Sequence, residues 1–133
     1  MSLPPEASGR WSPRRGEVCL LRLGSTVGSE IRKTRPCVVT SDDALAAMQT
    51  RTVVPIRDRS PEHERRSWCV PLDPGRLNGL AKPSSADRLH VRCASLERFL
   101  DRLGRLSVPE LHRVVDGVCV TIQAWEGDGE WSP

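Results

Sequence analysis

Residues 30–40, EIRKTRPCVVT, contain the change from a cationic loop to a buried strand on which the rest of the fold is organised. Three cations, Arg32, Lys33 and Arg35, precede Pro36, and the last four residues, CVVT, have the apolar, β-branched character of a buried strand. Proline fixes its own φ and biases the residue before it toward an extended backbone. The stretch therefore predicts that Arg35 is held at the entrance of a strand.

Outside this stretch, short apolar or alternating runs separated by turn residues predict a mostly β chain. The predicted strands are residues 16–23, 36–40, 51–57, 67–72 and 87–93. Pro55 inside the third run indicates a bulge or a sheet edge. In the fifth run, strict alternation places Arg88, His90 and Arg92 together on the outer face.

Two helices are predicted after the strands. Ser95 can cap the first, in which an apolar stripe ends at Gly104 and consists of Leu96, Phe99, Leu100 and Leu103. The second begins with the capping box Ser107-Val-Pro-Glu110 and has one apolar face formed by Leu111, Val114, Val115, Val118 and Ile122. Short strands followed by such a helix predict an α+β fold, mostly β, in which the helix packs on a small, strongly bent barrel.

The length and charge of the chain fit one domain with loose ends. The 133 residues, 38% hydrophobic, suffice for a single core. Residues 1–14 are predicted to be a flexible N-terminal extension, residues 15–125 the domain, and residues 126–133 a flexible acidic tail. Because that tail holds three acidic residues, residues 1–125 carry 20 basic and 14 acidic groups, a net charge of +6. This balance suits a polyanion such as nucleic acid, and equally an ordinary solvated surface.

The cysteines and the apolar runs indicate a reducing compartment and no membrane. The cysteine count is five and no CxxC spacing occurs, so neither a zinc knuckle nor a thioredoxin-type pair is supported. Most cysteines lie among aliphatic residues, which predicts small buried thiols. No signal peptide and no membrane span of roughly 20 apolar residues is evident. We therefore expect a cytoplasmic protein without metal or cofactor.

Two clusters contain groups suited to phosphate chemistry. Arg35 could present a forked guanidinium to two phosphate oxygens beneath the glycine- and serine-rich residues 24–29, and Glu30 could bring a carboxylate to the same place. Arg88 and Arg92 flank His90, whose imidazole can exchange protons near neutral pH. These are the groups needed for phosphodiester cleavage. From the residues alone, a solvated loop charge and an ordinary polar strand face remain open as alternatives.

Three segments together resemble the MazF/PemK toxins of bacterial toxin–antitoxin pairs. They are RRGEVCLLRLGSTVGSEIRKTRPCVVTSDD (14–43), TVVPI (52–56) and RLGRLSVPELHRVVDGV (102–118), and the resemblance extends from about Arg15 to Trp125. It implies a small SH3-like (PemK/CcdB-like) barrel that forms a homodimer. It also implies a metal-independent, sequence-specific endoribonuclease, or mRNA interferase, that cuts single-stranded RNA. Such toxins are neutralised by a cognate antitoxin of MazE type and contact operator DNA only as the toxin–antitoxin complex.

The resemblance assigns roles to particular residues and exposes one departure from the family pattern. The catalytic arginine of the family's Arg-Pro motif corresponds to Arg35, and its loop glutamate to Glu30. Where the family usually has a Ser or Thr after the third strand's Pro-Ile, this chain has Arg57. Arginine keeps its proton and is a poor base, so we expect Arg57 to be a second phosphate contact and His90 or Glu30 to transfer protons. Lowered activity is the alternative.

Further contacts with RNA are expected from basic and polar residues along the loop and strands, namely Arg32, Lys33, Thr34, Arg59, Arg88 and Arg92. Two other functions remain open at this point. One is a toxin of the related fold that poisons DNA gyrase, and the other is a weakened nuclease that acts chiefly as an antitoxin-binding or DNA-binding partner. Arg35-Pro36 favours the nuclease, whereas Arg57 keeps the weakened form open.

Overall fold

The computed structural model describes residues 11–24, 33–66 and 68–122, which form seven strands, two α-helices and three short 3₁₀ turns. The strands are β1 (Glu17–Arg22), β2 (Thr34–Val39), β3 (Thr50–Asp58), β4 (Cys69–Leu72), β5 (Ser84–Asp87), β6 (Arg92–Ser95) and β7 (Phe99–Arg105). The helices are α1 (Pro61–Glu64) and α2 (Val108–Thr121). The 3₁₀ turns are Asp43–Leu45, Arg88–His90 and Leu96–Arg98.

All strands pair antiparallel in the order β4-β5-β3-β2-β1-β7, and β6 also pairs with β3. The predicted α+β, mostly β fold is thus confirmed. Within the described residues the outer strands β4 and β7 do not pair with each other, so the sheet is open rather than the closed barrel that was expected.

The central strands are buried on both faces, which explains their continuous apolar sequences. On one face, Val18, Val38 and Val54 belong to a core that is completed by α2. On the other face, Cys19, Cys37 and Val53 belong to a second core, closed by Phe99 and Trp11. Neighbouring residues of each strand therefore point into different cores.

Pro55 lies in an interior strand, so its assignment to a sheet edge was wrong. One side of β3 pairs with β2, where Pro55 faces Cys37. The other side pairs with β6 through Thr50–Val53 and with β5 through Ile56–Asp58. Pro55 is buried at the point along β3 where pairing with β6 has ended and pairing with β5 begins.

The predicted strand 87–93 is interrupted. Its centre is the 3₁₀ turn Arg88–His90, and the chain continues as β6. Arg88, His90 and Arg92 therefore do not alternate along one strand face. The turn packs against α2, so tertiary contact overrides the local alternation.

The predicted helix after Ser95 is also wrong. Ser95 caps only the 3₁₀ turn Leu96–Arg98, and the following residues form β7, which pairs with β1. Gly104 ends no helix; a Cβ there would lie 2.3 Å from the carbonyl oxygen of Leu77. The glycine instead permits close approach of the loop that follows β4.

The capping box of α2 is confirmed. The backbone N–H of Glu110 donates to Oγ of Ser107 over 3.3 Å, and the N–H of Ser107 donates to Oε1 of Glu110 over 3.0 Å. Leu111, Val114 and Val118 then pack on the sheet. Such reciprocal capping satisfies donors that a helix start leaves free.

Residues 11–14, expected in the loose extension, pack on the domain. The buried Arg51 donates from Nε to the carbonyl oxygen of Pro13 over 3.0 Å, and Trp11 closes the second core. Residues 1–10 and 123–133, which include most of the predicted extension and all of the predicted acidic tail, lie outside the described residues.

All five cysteines are free thiols, and three of them, Cys19, Cys37 and Cys69, are buried as predicted. Cys119 is half-buried, whereas Cys93 is exposed. Burial raises the pKa of Cys19 and of Cys37 to about 12.

Candidate functional site

A cavity of about 260 Å³ opens where β2, β3, β5 and the loop before β5 meet. Its walls include Arg35 from β2 and Arg57 from β3, with Lys82 and Ser84 beside them. Because Cys37 faces Pro55, continuing the antiparallel register places Arg35 opposite Arg57. The fold therefore brings together the two arginines that the sequence singled out.

Arg35 has an unusual environment for a cation. The residue is half-buried, and its Nε atom is buried without a hydrogen-bond acceptor in residues 11–24, 33–66 and 68–122. A buried donor without an acceptor costs about 1–3 kcal/mol. An anion in the cavity would remove that cost and accept a charge-assisted hydrogen bond.

Arg57 is linked to His90 through one buried carboxylate. The Nη1 atom of Arg57 lies 3.1 Å from Oδ2 of Asp87, and Nδ1 of His90 lies 2.9 Å from the same oxygen. The side chain of Asp87 is only 1% exposed, whereas those of Arg57 and His90 are 35% and 23% exposed. His90 thus lies two contacts away from the cavity.

Lys82 and Ser84 belong to this cavity but were missed by sequence reasoning. Nζ of Lys82 lies 2.9 Å from Oδ2 of Asp58, and Oγ of Ser84 donates to the carbonyl oxygen of Lys82 over 2.8 Å. Ser84 faces Asp58 across the β3–β5 pair. It therefore adds a hydroxyl to the cavity wall from another strand, whereas Ser85 is the residue that faces Arg57, at the position where the family pattern has its Ser or Thr. Only the strand pairing could have revealed it.

Of the other predicted RNA contacts, Thr34 lines the same cavity as Arg35 and Arg57, whereas Lys33, Arg59, Arg88 and Arg92 do not. Lys33 and Thr34 are exposed at the start of β2, and Lys33 has a positive φ of 72°. Arg59 donates to the carbonyl oxygen of Ser84 and pairs with Asp73. Arg92 is half-buried on β6. Glu30 and Arg32 lie outside the described residues.

Arg88 is turned toward α2. Its Nε and Nη1 atoms donate to the carbonyl oxygens of Trp68 and Arg113 over 3.0 and 3.1 Å. A Cβ at Gly117 would lie 1.7 Å from Arg88 Nη1, so the guanidinium sits directly on the helix. Partial burial lowers the pKa of Arg88. These contacts anchor the 3₁₀ turn that carries His90.

A second, larger cavity of about 520 Å³ lies between β1, β7 and the start of α2. Four arginines line it, Arg14, Arg15, Arg102 and Arg105, together with Glu17 and the exposed Val108. Nε of Arg102 lies 2.6 Å from Oε2 of Glu17.

Two further observations concern metal binding and membrane spans. In residues 11–24, 33–66 and 68–122, no three His, Cys, Asp or Glu side chains are grouped so as to hold a metal ion. Across the same part of the chain, no helix has the length and apolarity needed to cross a membrane.

Comparison with known proteins assigns the chain to a family. Endoribonuclease MazF9 of Mycobacterium tuberculosis is 29% identical over 118 residues, covering 84% of this chain and 98% of that protein. A crystal structure of MazF from Deinococcus radiodurans has a TM-score of 0.72 at 19% identity and covers 85% of this chain and 98% of that one.

A mycobacterial endoribonuclease solved in complex with its cognate antitoxin has a TM-score of 0.64 at 14% identity, over 84% of this chain and 94% of that one. At these identities the solved structures show a shared fold. The profile described as "PemK-like, MazF-like toxin of type II toxin-antitoxin system" matches residues 14–122, most of the chain. The chain therefore belongs to the PemK-like, MazF-like family of type II toxins.

Proposed function

We propose that this protein is a sequence-specific endoribonuclease toxin that cuts single-stranded RNA without a metal ion and is neutralised by a cognate antitoxin. The observation that carries this proposal is the cavity whose walls include both Arg35, with a buried Nε that lacks a described acceptor, and Arg57. The family membership and the 29% identity to endoribonuclease MazF9 support the same activity.

The proposed reaction uses the substrate's own nucleophile. The 2′-hydroxyl of RNA attacks the adjacent phosphorus and loses its proton to a base, while the bond to the 5′-oxygen breaks and that oxygen takes up a proton. The products are a 2′,3′-cyclic phosphate and a 5′-hydroxyl. The reaction therefore needs a base, a proton donor and cations around the phosphorane charge.

Arg35 is assigned to the phosphorane charge, because its forked guanidinium lies at the wall of the cavity and can bind two phosphate oxygens. Arg57 is assigned as the second phosphate contact from the neighbouring strand. His90 or Glu30 is assigned to proton transfer. Lys82 adds a further cation at the rim, where its partner Asp58 is also exposed.

The partners follow from the family and from the resemblance in sequence. The protein acts as a cytoplasmic homodimer, and its RNA surface is covered by an antitoxin of MazE type. Operator DNA is contacted only by the toxin–antitoxin complex. A mycobacterial relative has been solved with its cognate antitoxin, which supports the antitoxin as partner.

Mapping the ends of the products tests the proposal. The purified chain is incubated with a long RNA in the presence of EDTA, and the product ends are identified by enzymatic labelling and mass spectrometry. We expect cuts at a short recurring sequence with 2′,3′-cyclic phosphate and 5′-hydroxyl ends. Products with 5′-phosphate ends, or activity abolished by chelation, would contradict the proposed reaction.

Reduced nuclease activity is the second candidate, and one observation favours it. Arg57 occupies the family's hydroxyl position and pairs with Asp87, so it cannot act as a proton acceptor there. The same RNA assay distinguishes the two, because a weakened member would bind a cognate antitoxin normally yet cut RNA only slowly.

A further inference from the structure

Asp87 is a buried carboxylate with a role that neither the family nor the proposed site assigns. It ends β5 immediately before the 3₁₀ turn Arg88–His90, and its side chain is 1% exposed. Its Oδ2 atom accepts from Nη1 of Arg57 and lies 2.9 Å from Nδ1 of His90, whereas Oδ1 is buried without a hydrogen-bond partner in the described parts of the chain.

Burying such a carboxylate costs folding free energy. A buried charge is tolerated when it is paired, and each unsatisfied buried oxygen adds a further cost. Both partners of Asp87 use one oxygen and both belong to the residues expected to act on RNA. We therefore interpret the arrangement as one that orients Arg57 and His90 rather than one that stabilises the folded protein.

We propose that Asp87 is a positioning residue, which holds the Arg57 guanidinium at the cavity wall and fixes His90 with its proton on Nδ1. This inference rests on the proposed ribonuclease function. An ionised carboxylate can only accept, so the 2.9 Å contact with Oδ2 of Asp87 puts the proton of neutral His90 on Nδ1 and the lone pair on Nε2. Nε2 is then the nitrogen that can accept a proton.

The corresponding proton step is balanced. Because His90 does not line the cavity, this step requires RNA to extend past Arg57 to Nε2 of His90. There Nε2 takes the proton of the attacking 2′-hydroxyl, and the electron pair of that O–H bond forms the new bond to phosphorus. The resulting imidazolium is neutralised by the Asp87 carboxylate through Nδ1–H. After bond cleavage, the proton passes from Nε2 to the departing 5′-oxygen, which restores neutral His90.

Charged and titratable groups surround this pair on each side. Arg57 approaches Asp87 from β3, and Cys69 faces it from β4, where burial, together with the carboxylate, raises the pKa of the thiol. Arg88 lies on the turn itself and is held against α2 near Gly117. Among the described residues, Arg57 is therefore the cation in direct contact with the carboxylate, and His90 is its second partner.

The decisive measurement is the tautomer of His90 in the unmodified protein. Long-range ¹H–¹⁵N correlation spectra in alkaline buffer, where a histidine is neutral, distinguish a proton on Nδ1 from one on Nε2. We expect the proton on Nδ1. A proton on Nε2, or rapid exchange between the two tautomers, would overturn the inference without any variant having to fold.

Asp87→Asn supplies the kinetic test. The amide can donate to Nδ1 and so favours a proton on Nε2, which removes the acceptor. We expect kcat to fall at least about tenfold, as for a lost proton-transfer group, while binding of a 2′-deoxy oligonucleotide stays within about twofold. Asp43→Asn is the matched control, because Asp43 also contacts an arginine, Arg14, but is exposed and follows the end of β2 opposite to Arg35.

The outcomes separate this inference from the proposed function. If Asp87→Asn has parental kcat while Arg35→Ala is inactive, the nuclease stands and the positioning role of Asp87 is wrong. If His90 has the Nδ1–H tautomer but the unmodified chain cuts no RNA, the orientation of His90 stands and the proposed ribonuclease function fails.

Discussion

The two arginine-lined cavities differ in how their guanidinium groups are engaged. In the larger cavity, Arg102 pairs with Glu17, Arg14 with Asp43, and Arg15 donates to the carbonyl oxygen of Thr40. Arg105 is exposed there, so water can satisfy its donors. In the smaller cavity, by contrast, the Nε of Arg35 is buried and has no acceptor among the described residues.

This difference shows that the size of a cavity and its number of cations are weak guides to an anion site. In the larger cavity, protein acceptors already engage Arg102, Arg14 and Arg15, so an incoming phosphate would have to compete with them. In the smaller cavity, a phosphate would supply an acceptor that Arg35 lacks and would exchange a cost for a charge-assisted bond. The smaller cavity is therefore the better candidate for RNA chemistry.

The largest expected effect comes from Arg35→Ala. Loss of a preorganised cation aimed at transition-state charge costs roughly 2.7–4 kcal/mol, or a hundredfold or more in rate. Unfolding free energy should change by only about 0.5 kcal/mol, because the side chain is half-buried and its removal relieves an unsatisfied donor. Single-turnover cleavage of a short RNA measures the rate, and urea unfolding measures the stability.

Arg105→Ala is the matched control in the larger cavity, and cleavage should stay within about twofold of the parental rate. Arg35→Lys should recover only part of the rate, because lysine restores the charge without the fork. Equal losses in Arg35→Ala and Arg105→Ala would erase the distinction between the cavities.

Arg57→Ala tests whether the second arginine has taken over from the family's hydroxyl residue. We expect a loss of about tenfold or more in cleavage rate, because a second phosphate contact disappears. Stability should also fall by about 1–3 kcal/mol, since Asp87 keeps its burial but loses its guanidinium partner. A folded variant with parental activity would mean that Arg57 merely fills the position and that Ser84 or another group has the missing role.

The salt dependence of RNA binding gives a smaller effect. Each phosphate contact with a single strand contributes roughly 0.7 to the slope of log affinity against log salt. Arg35→Ala should therefore lower the slope by about 0.7, whereas Arg105→Ala should leave it unchanged. Fluorescence anisotropy with a 2′-deoxy oligonucleotide measures both slopes; a reduction confined to Arg105→Ala would move the RNA path to the larger cavity.

The smallest expected effect concerns the rigidity of the strand that holds Arg35. Burial raises the pKa of Cys37 from 9.0 to about 12, so its thiol stays protonated and protected, whereas Cys93 is exposed. Iodoacetamide should modify Cys93 in the folded protein and leave Cys37 unmodified, as read by peptide mass spectrometry. Ready alkylation of Cys37 would show that β2 opens.

The same pKa sets a direction for alkaline stability. The unfolded thiol ionises near pH 9, before the buried thiol does, so the unfolded state loses protons first. The stabilising contribution of Cys37 is complete below pH 9 and is lost as the pH rises toward about 12.

Local sequence patterns predicted the strands and the helix start that the chain marks directly, by regularly spaced apolar residues or by capping residues. The runs that became β1 to β4 and the capping box of α2 were identified because apolar content or capping chemistry marks them directly. Residues 96–104 were misassigned as a helix, because the i, i+3, i+4 spacing of Leu96, Phe99 and Leu100 fits one, yet β1 offers residues 99–105 a partner strand. Local spacing cannot report such a partner.

The same limit of local patterns explains why the candidate site was predicted only in part. Arg35 stands out because it lies next to a strand signal that the chain itself displays, and Arg57 because it departs from the pattern of the family that the chain resembles. Asp87 and Ser84 enter the site only through the pairing of β5 with β3 and β4, which no local pattern encodes. The burial of Asp87 is likewise a property of the folded chain.

The most direct test of the central claim observes the arginine Nε–Hε groups during RNA binding. A ¹⁵N-labelled protein is titrated with an uncleavable 2′-deoxy oligonucleotide, and the signals of Arg35 and Arg102 are followed by NMR. The account predicts that the Arg35 signal shifts as its buried Nε gains an acceptor, while Arg102, already held by Glu17, does not change. A shift of Arg102 with an unmoved Arg35 would contradict it.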